Sequence, residues 1–160
     1  MSQESLCADD WEIIKKYSDM VYRMAYSLLK NKYDAEDIHQ EVFIQYMRKR
    51  PSFESIEHEK AWFLRVTINL CKNNWKTAWK RKVVSLMDEG YEEVVELQTD
   101  ELIDTVKQLP QKYRMVIHLF YYEELSIQEI AGILNTKPSN VRTWLTRARA
   151  KLKQILEEDL

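Results

Sequence analysis

Apolar residues recur along most of this chain at intervals of three and four, the period of a helix with one buried face, and no strand-length alternation competes with that reading. Over residues 10–30, Ile14, Tyr17, Val21, Met24, Ala25 and Leu28 share one face. A second helix is predicted from Asp34, where Asp34 and Asp37 stand in capping-box spacing, to about Arg48, with Ile38, Val42 and Tyr46 inward. After a turn around Pro51 the period resumes over residues 57–82 and then lapses over residues 83–99, which hold Gly90. A short helix over residues 100–108 should follow. Next comes one opened by Pro110, with Tyr113, Val116, Ile117 and Phe120 inward. The pattern predicts an all-α protein of two small helical domains, residues 1–82 and 100–160, joined by a linker over 83–99.

The best specified segment begins at Ser126. Its hydroxyl can cap the Glu129 amide while the Glu129 carboxylate reaches back, and Leu125 can staple onto Ile130. Asn135 suits the left-handed residue that ends a helix, and Pro138 suits the first position of the next. Two short helices joined by a tight turn form a helix-turn-helix. At about 100° per residue, Val141, Leu145, Ala148, Leu152 and Ile155 fall on one side of the second helix. Ser139, Thr143 and Thr146 lie opposite, flanked by Arg142 and Arg149 on one edge and Asn140 and Arg147 on the other. Residues 137–153 carry six positive charges and no negative one. Small hydroxyls allow close approach to base edges, and guanidinium and amide groups reach bases or phosphates. A solvated basic helix or a membrane-surface helix would not need the cap and turn.

Two further faces exceed what a core requires. On the second helix Glu36, Gln40, Phe43 and Met47 share a face away from Ile38 and Val42, with Asp37, Glu41 and Ile44 alongside. A stripe mixing acids with Phe43 suits a protein partner, or else Phe43 and Met47 pack within their own domain. On the third helix Trp62, Arg65, Asn69, Lys72, Asn73, Lys76 and Lys80 form a continuous stripe opposite Leu64, Ile68, Cys71 and Trp75. Rings and guanidinium planes accept unpaired bases while lysines hold the backbone, so this stripe suits single-stranded nucleic acid. Trp62 could equally be a core residue at its edge.

Charge sharpens the division into parts. The formal net charge of −2 is segregated, with seven acidic residues and no basic one over 83–101, between basic stretches at 72–82 and 137–153. Two positive regions joined by a negative linker suggest two contacts along one nucleic acid. Two glycines and three prolines favour helices over a turn-rich β fold. Cys7 and Cys71 stand in no pairing or zinc spacing, and there is neither a membrane-length apolar run nor a signal peptide, so a reduced, cytoplasmic protein is expected. His39, His58 and His118 sit in no metal spacing, and no nucleophile has a recognisable base nearby; neither enzyme activity nor a cofactor is expected.

Four segments in order, DAEDIHQEVF over 34–43, AWFLRVTINLCKN over 61–73, Leu109 with Pro110, and VRTWLTRAR over 141–149, resemble the extracytoplasmic-function (ECF) sigma factors of the sigma-70 superfamily. The resemblance covers nearly the whole chain. It implies a dissociable subunit that directs core RNA polymerase to promoters in a stress or envelope response. The first domain would correspond to sigma region 2 and the second to sigma region 4. By that resemblance Glu36, Asp37, Gln40, Glu41 and Phe43 bind the clamp helices of the largest polymerase subunit. Trp62, Arg65, Asn69, Lys72, Asn73 and Lys76 hold the separated minus-ten strand, beside a pocket lined by the turn over residues 51–58. Ser139, Asn140, Arg142, Thr143, Thr146, Arg147 and Arg149 meet the minus-thirty-five element. Promoter DNA, core polymerase including its beta flap, and an anti-sigma factor, often membrane-bound in the family, are the implied partners; no small-molecule substrate is. Trp144 stands where the family usually has a basic residue and Asn140 where Thr is common, which bears on promoter sequence. Trp144 lies at the edge of the apolar stripe and is expected to pack. The competing reading is a stand-alone helix-turn-helix regulator that dimerises on paired half-sites.

Overall fold

The computed structural model describes residues 8–85 and 105–158, and over 75–85 the backbone alone. The helices are α1 (Ala8–Leu29), α2 (Lys32–Lys49), α3 (Ile56–Ser85), α4 (Gln111–Ile117), a π-helical turn (His118–Tyr122), α5 (Ile127–Leu134) and α6 (Pro138–Glu158). Of the predicted linker, residues 83–85 continue α3 and the rest lies outside the described residues, as do residues 100–104 of the predicted short helix.

The α1 face predicted from periodicity is the one buried: Tyr17, Val21, Met24, Ala25 and Leu28 are enclosed. Lys30 then turns left-handed at φ 58°, and its amide closes on the Tyr26 carbonyl. The next helix starts at Lys32 rather than Asp34, because the Asn31 side chain accepts from the amides of Tyr33 and Asp34. Asp34 is thereby placed in the first turn, where its charge favours the positive end of the helix. Among the described residues four are left-handed, Lys30, Arg50, Glu124 and Asn135; all sit just past helical segments, and none is glycine. Ahead of α3, the Ser55 hydroxyl accepts from the His58 amide.

One core layer joins α1, α2 and α3. Phe63 of α3 is its centre, with the rings of Tyr17, Phe43, Tyr46, Phe53 and Trp62 around it. Of the two readings of Phe43 the packed one holds: it is not on a free face but buried, 5.7 Å between centroids from Phe63 and 5.0 Å from His39. The reason is that α2 packs on both α1 and α3. Its buried arc is therefore wider than the stripe drawn for a helix with one neighbour. Cys71 lies in the same core, and burial pushes its thiol up to about 12.

The helix-turn-helix forms from the residues that specify it. Ser126 and Glu129 make the reciprocal capping box, Asn135 ends α5 at φ 53°, and α6 begins at Pro138. Leu125 and Ile130 are both buried, as are Val141, Leu145 and Ala148 of α6.

This second half docks on the first. Arg114 of α4 is buried and donates to the carbonyls of Ser27 and Leu28 at 3.0 Å each, and to Lys107 and Leu109 at 3.3 and 2.8 Å. The last turn of α1 contains no basic residue of its own. Arg114 supplies from another element the cation and the donors that a helix C-terminus favours. Beside it, buried Glu123 faces His118 at 3.3 Å, Arg23 at 3.7 Å and Lys60 at 3.8 Å, while the Lys60 ammonium donates to the Glu123 carbonyl at 2.8 Å. Lys107 donates to the Tyr26 hydroxyl at 3.0 Å.

Candidate nucleic-acid and polymerase interfaces

The predicted base-reading face of α6 is open. Ser139, Asn140, Arg142, Thr143, Thr146, Arg147 and Arg149 are all exposed, opposite the buried Val141, Leu145 and Ala148. Thr143 and Thr146 donate their hydroxyl protons to the carbonyls of Ser139 and Arg142, at 3.0 and 2.9 Å. Each hydroxyl with its proton so engaged offers an incoming base edge an acceptor and a methyl group. Asn140 donates to the Thr136 hydroxyl across the turn, at 3.0 Å, which ties the start of α6 to the end of α5. Trp144 is half-buried against the core, as its place on the helix predicts, and the Lys112 ammonium sits 4.8 Å from its ring centroid. Arg149 is more constrained than its neighbours: its Nε donates to the Tyr121 hydroxyl at 2.6 Å.

On α3, Arg65, Asn69, Lys72 and Asn73 are exposed along one face. The side chains of Lys76 and Lys80 lie outside the described residues. Trp62 resolves as both alternatives at once. It is half-buried, wedged edge-on among Tyr46, Phe53 and Phe63 at centroid distances of 6.2, 6.0 and 4.9 Å, yet it heads the polar stripe. A ring held by three others is a firm stacking platform. Phe53 also packs edge-on against His58, so the 51–58 turn is built around one ring beside the stripe. Arg65 donates to the carbonyl of Gly132 in α5 at 3.4 Å, so the docked helix-turn-helix engages the first cation of this face.

On α2, Glu36, Asp37 and Gln40 are exposed and Glu41 is half-exposed, whereas Phe43 is turned inward. Next to these acids Ile44, Met47, Arg48 and Arg50 line an open depression of ≈ 410 Å³. The face is therefore acidic at one end, with a shallow, partly apolar hollow at the other. His39, turned towards α1, is hydrogen-bonded to Ser18 at 2.9 Å and its pKa is lowered by burial.

Sequence reasoning passed over Arg114, Glu123, Lys60, Lys112 and Tyr121. Arg114 had a weak local signature, a cation three and four residues before Ile117 and His118 on a face that is otherwise enclosed. The others depend on contacts between elements that no period connects.

Residues 13–81 match the family model of Sigma-70 region 2, and residues 99–152 match that of Sigma-70, region 4. The chain is 34% identical to the ECF RNA polymerase sigma factor SigW of Bacillus subtilis, over 92% of this chain and 88% of that protein. It is 30% identical to the ECF RNA polymerase sigma factor SigM of the same organism, over 90% and 93%. The fold is shared with the sigma factor RpoE solved in complex with the anti-sigma factor NepR from Bartonella quintana, at TM-score 0.74 and 20% identity over 96% of this chain and all of that one. It is shared too with CnrH in complex with the cytosolic domain of CnrY, at TM-score 0.68 and 20% identity over 94% and 89%. With both sigma regions matched in order and relatives aligned along nearly their whole length, the chain belongs to the ECF family of RNA polymerase sigma factors.

Proposed function

We propose that this chain directs core RNA polymerase to promoters by reading duplex DNA with α6 and holding the opened strand on α3. The observation that carries this reading is the presence, on one chain, of two separate exposed faces of different chemistry, each suited to a different form of nucleic acid. The face of α6 carries small hydroxyls between arginines, suited to base edges in a major groove. That of α3 carries a fixed ring followed by amides and cations, suited to unstacked bases. A base flipped out of its stack loses a few kcal/mol of stacking and pairing, which such a platform replaces. In this reading residues 1–82 form the region 2 domain, 83–99 a linker and 100–160 the region 4 domain.

Glu36, Asp37, Gln40 and Glu41 are the polymerase-binding residues of this scheme, with Phe43 supporting them from the core. The protein works where the polymerase does, in the cytoplasm, and catalyses no reaction itself. No described helix is long and apolar enough to cross a membrane. An anti-sigma factor is the natural restraint, in keeping with the complexes in which RpoE and CnrH were solved.

The docked arrangement adds a requirement. Two elements centred about 25 base pairs apart lie roughly 85 Å apart along the duplex at about 3.4 Å per base pair. Packed helices lie only about 8–10 Å apart, and α5 rests on α3. The two halves must part for both faces to be occupied together.

Run-off transcription with core polymerase on a genomic library tests the reading. Alignment of the start sites should give a common pair of upstream elements, used only when this protein is present. Should the purified protein instead footprint a palindrome by itself and never support transcription, it is a stand-alone regulator.

A further inference from the structure

We propose that Lys112 and Arg149, each held on an aromatic platform, grip the two phosphate strands that border the groove entered by α6. The inference rests on the groove reading above and adds Lys112 and Tyr121 to the DNA-binding surface.

The geometry begins with α6. Trp144 and Arg149 are five positions apart, hence about 140° around the helix at roughly 100° per residue. They stand on opposite edges of the buried stripe, and the base-reading residues occupy the wider arc between them. A helix about 10–12 Å across fills a major groove about 12 Å wide, so its two edges face the two sugar-phosphate walls. Cations at those edges meet phosphates, while the face between meets bases.

Each edge carries one cation that an aromatic group holds in place. On the Trp144 edge the charge comes from another element: Lys112 of α4 is exposed and its ammonium lies 4.8 Å from the Trp144 ring centroid. On the other edge the Arg149 guanidinium lies 5.4 Å from the Phe120 centroid and 5.5 Å from that of Tyr121. The two rings stand at 79° to each other, and the Tyr121 hydroxyl accepts the Nε proton at 2.6 Å. Both rings belong to the π-helical turn. Such turns are frequent at functional sites.

Among the described residues neither cation is ion-paired. With its Nε proton engaged by Tyr121, Arg149 keeps both terminal amino groups for a phosphate, the fork geometry that suits that anion. Lys and Arg lose rotamer freedom when they are fixed on a phosphate, and a platform removes part of that cost before DNA arrives.

The test uses holoenzyme reconstituted with full-length protein and the promoter duplex mapped by run-off. Affinity is measured between 50 and 200 mM salt for wild type, Lys112→Met, Lys112→Gln, Arg149→Met, Tyr121→Phe and the Tyr121→Phe, Arg149→Met pair. Loss of one phosphate contact should flatten the log-log salt slope by about 0.9, about a 3.5-fold change in relative affinity across that range. Both Lys112 variants and Arg149→Met should show this, by the same factor on the promoter and on one with a scrambled upstream element. Tyr121→Phe should weaken binding alone but not on top of Arg149→Met. Unchanged slopes overturn the inference, as does a loss confined to the intact element or a Tyr121→Phe effect equal in both backgrounds. These results leave the groove reading standing. If wild-type holoenzyme fails to distinguish the scrambled element, the groove reading itself falls and takes this inference with it.

Discussion

Arg114 in α4 donates from Nη2 to the Leu28 carbonyl 3.0 Å away, so the C-terminus of the first helix is completed by a residue from the other half of the chain. Removing it leaves the carbonyls of Ser27, Leu28, Lys107 and Leu109 without this partner in a buried site. Charged hydrogen bonds contribute about 1.5–3 kcal/mol each but are not additive, so Arg114→Leu should weaken docking by on the order of 3 kcal/mol. A donor–acceptor dye pair placed on exposed positions of α1 and α6 reads the separation. Transfer should fall in the variant while the helical signal is kept. Unchanged transfer would show that the contact does not hold the halves together.

Glu123 sets how that docking responds to acid. Burial alone raises its pKa, but the hydrogen bond with His118 and then the charges of His118, Lys60 and Arg23 outweigh burial and hold it below the ordinary carboxylate range. A carboxyl whose folded pKa lies below its unfolded one stabilises fully above the unfolded value, about 4.3 for glutamate. That contribution is lost as pH falls through the folded value. The part of that contribution that comes from Lys60 and Arg23, which belong to the first half, links Glu123 to docking, so docking should weaken as pH falls below about 4.3. The Glu123→Gln protein should be less docked at neutral pH and show a flatter acid limb. Equal acid limbs, followed with the same dye pair, would remove Glu123 from the account.

Phe43 belongs to the core, and the consequence differs from that of a surface contact. With 5% exposure and Phe63 and His39 against it, Phe43→Ala opens a cavity and should cost about 3–5 kcal/mol. Thermal melting should show a large drop in midpoint. Glu36→Ala and Gln40→Ala, at exposed positions, should leave the midpoint nearly unchanged and reduce binding to core polymerase. A Phe43→Ala protein that melts like wild type but loses polymerase binding would return the residue to the partner-facing surface.

These cases show what kind of information a single chain makes legible. The helix-turn-helix could be read residue by residue because its determinants, Ser126 with Glu129, Asn135 and Pro138, act over three or four positions. The α6 faces followed from one helical period for the same reason. The start of α2 expected at Asp34 lies two residues late, because Asp34 with Asp37 has the same spacing as the pair that caps the helix, Asn31 with Asp34. The structure selects Asn31, next to the left-handed Lys30 that ends α1. Whether Phe43 faces a partner or the core stayed open in the sequence because periodicity reports one buried stripe and cannot report a second neighbour. Arg114 and Ser27 are 87 residues apart, and no local pattern links positions so distant.

Glu124 offers a stabilising change that the same reasoning isolates. It is exposed and left-handed at φ 54°, between the π-helical turn and the capping box at Ser126. For a residue with a Cβ that conformation costs roughly 1–2 kcal/mol, which glycine avoids. Glycine loses more backbone freedom on folding, by about 0.4–1 kcal/mol, so the two effects oppose each other. The difference favours the substitution, and Glu124→Gly should stabilise the helix-turn-helix half by about 0.5–1 kcal/mol. A chemical denaturation midpoint that rises with an unchanged slope would support this. A midpoint that falls would mean that the Glu124 side chain makes a contribution larger than the strain it sits in.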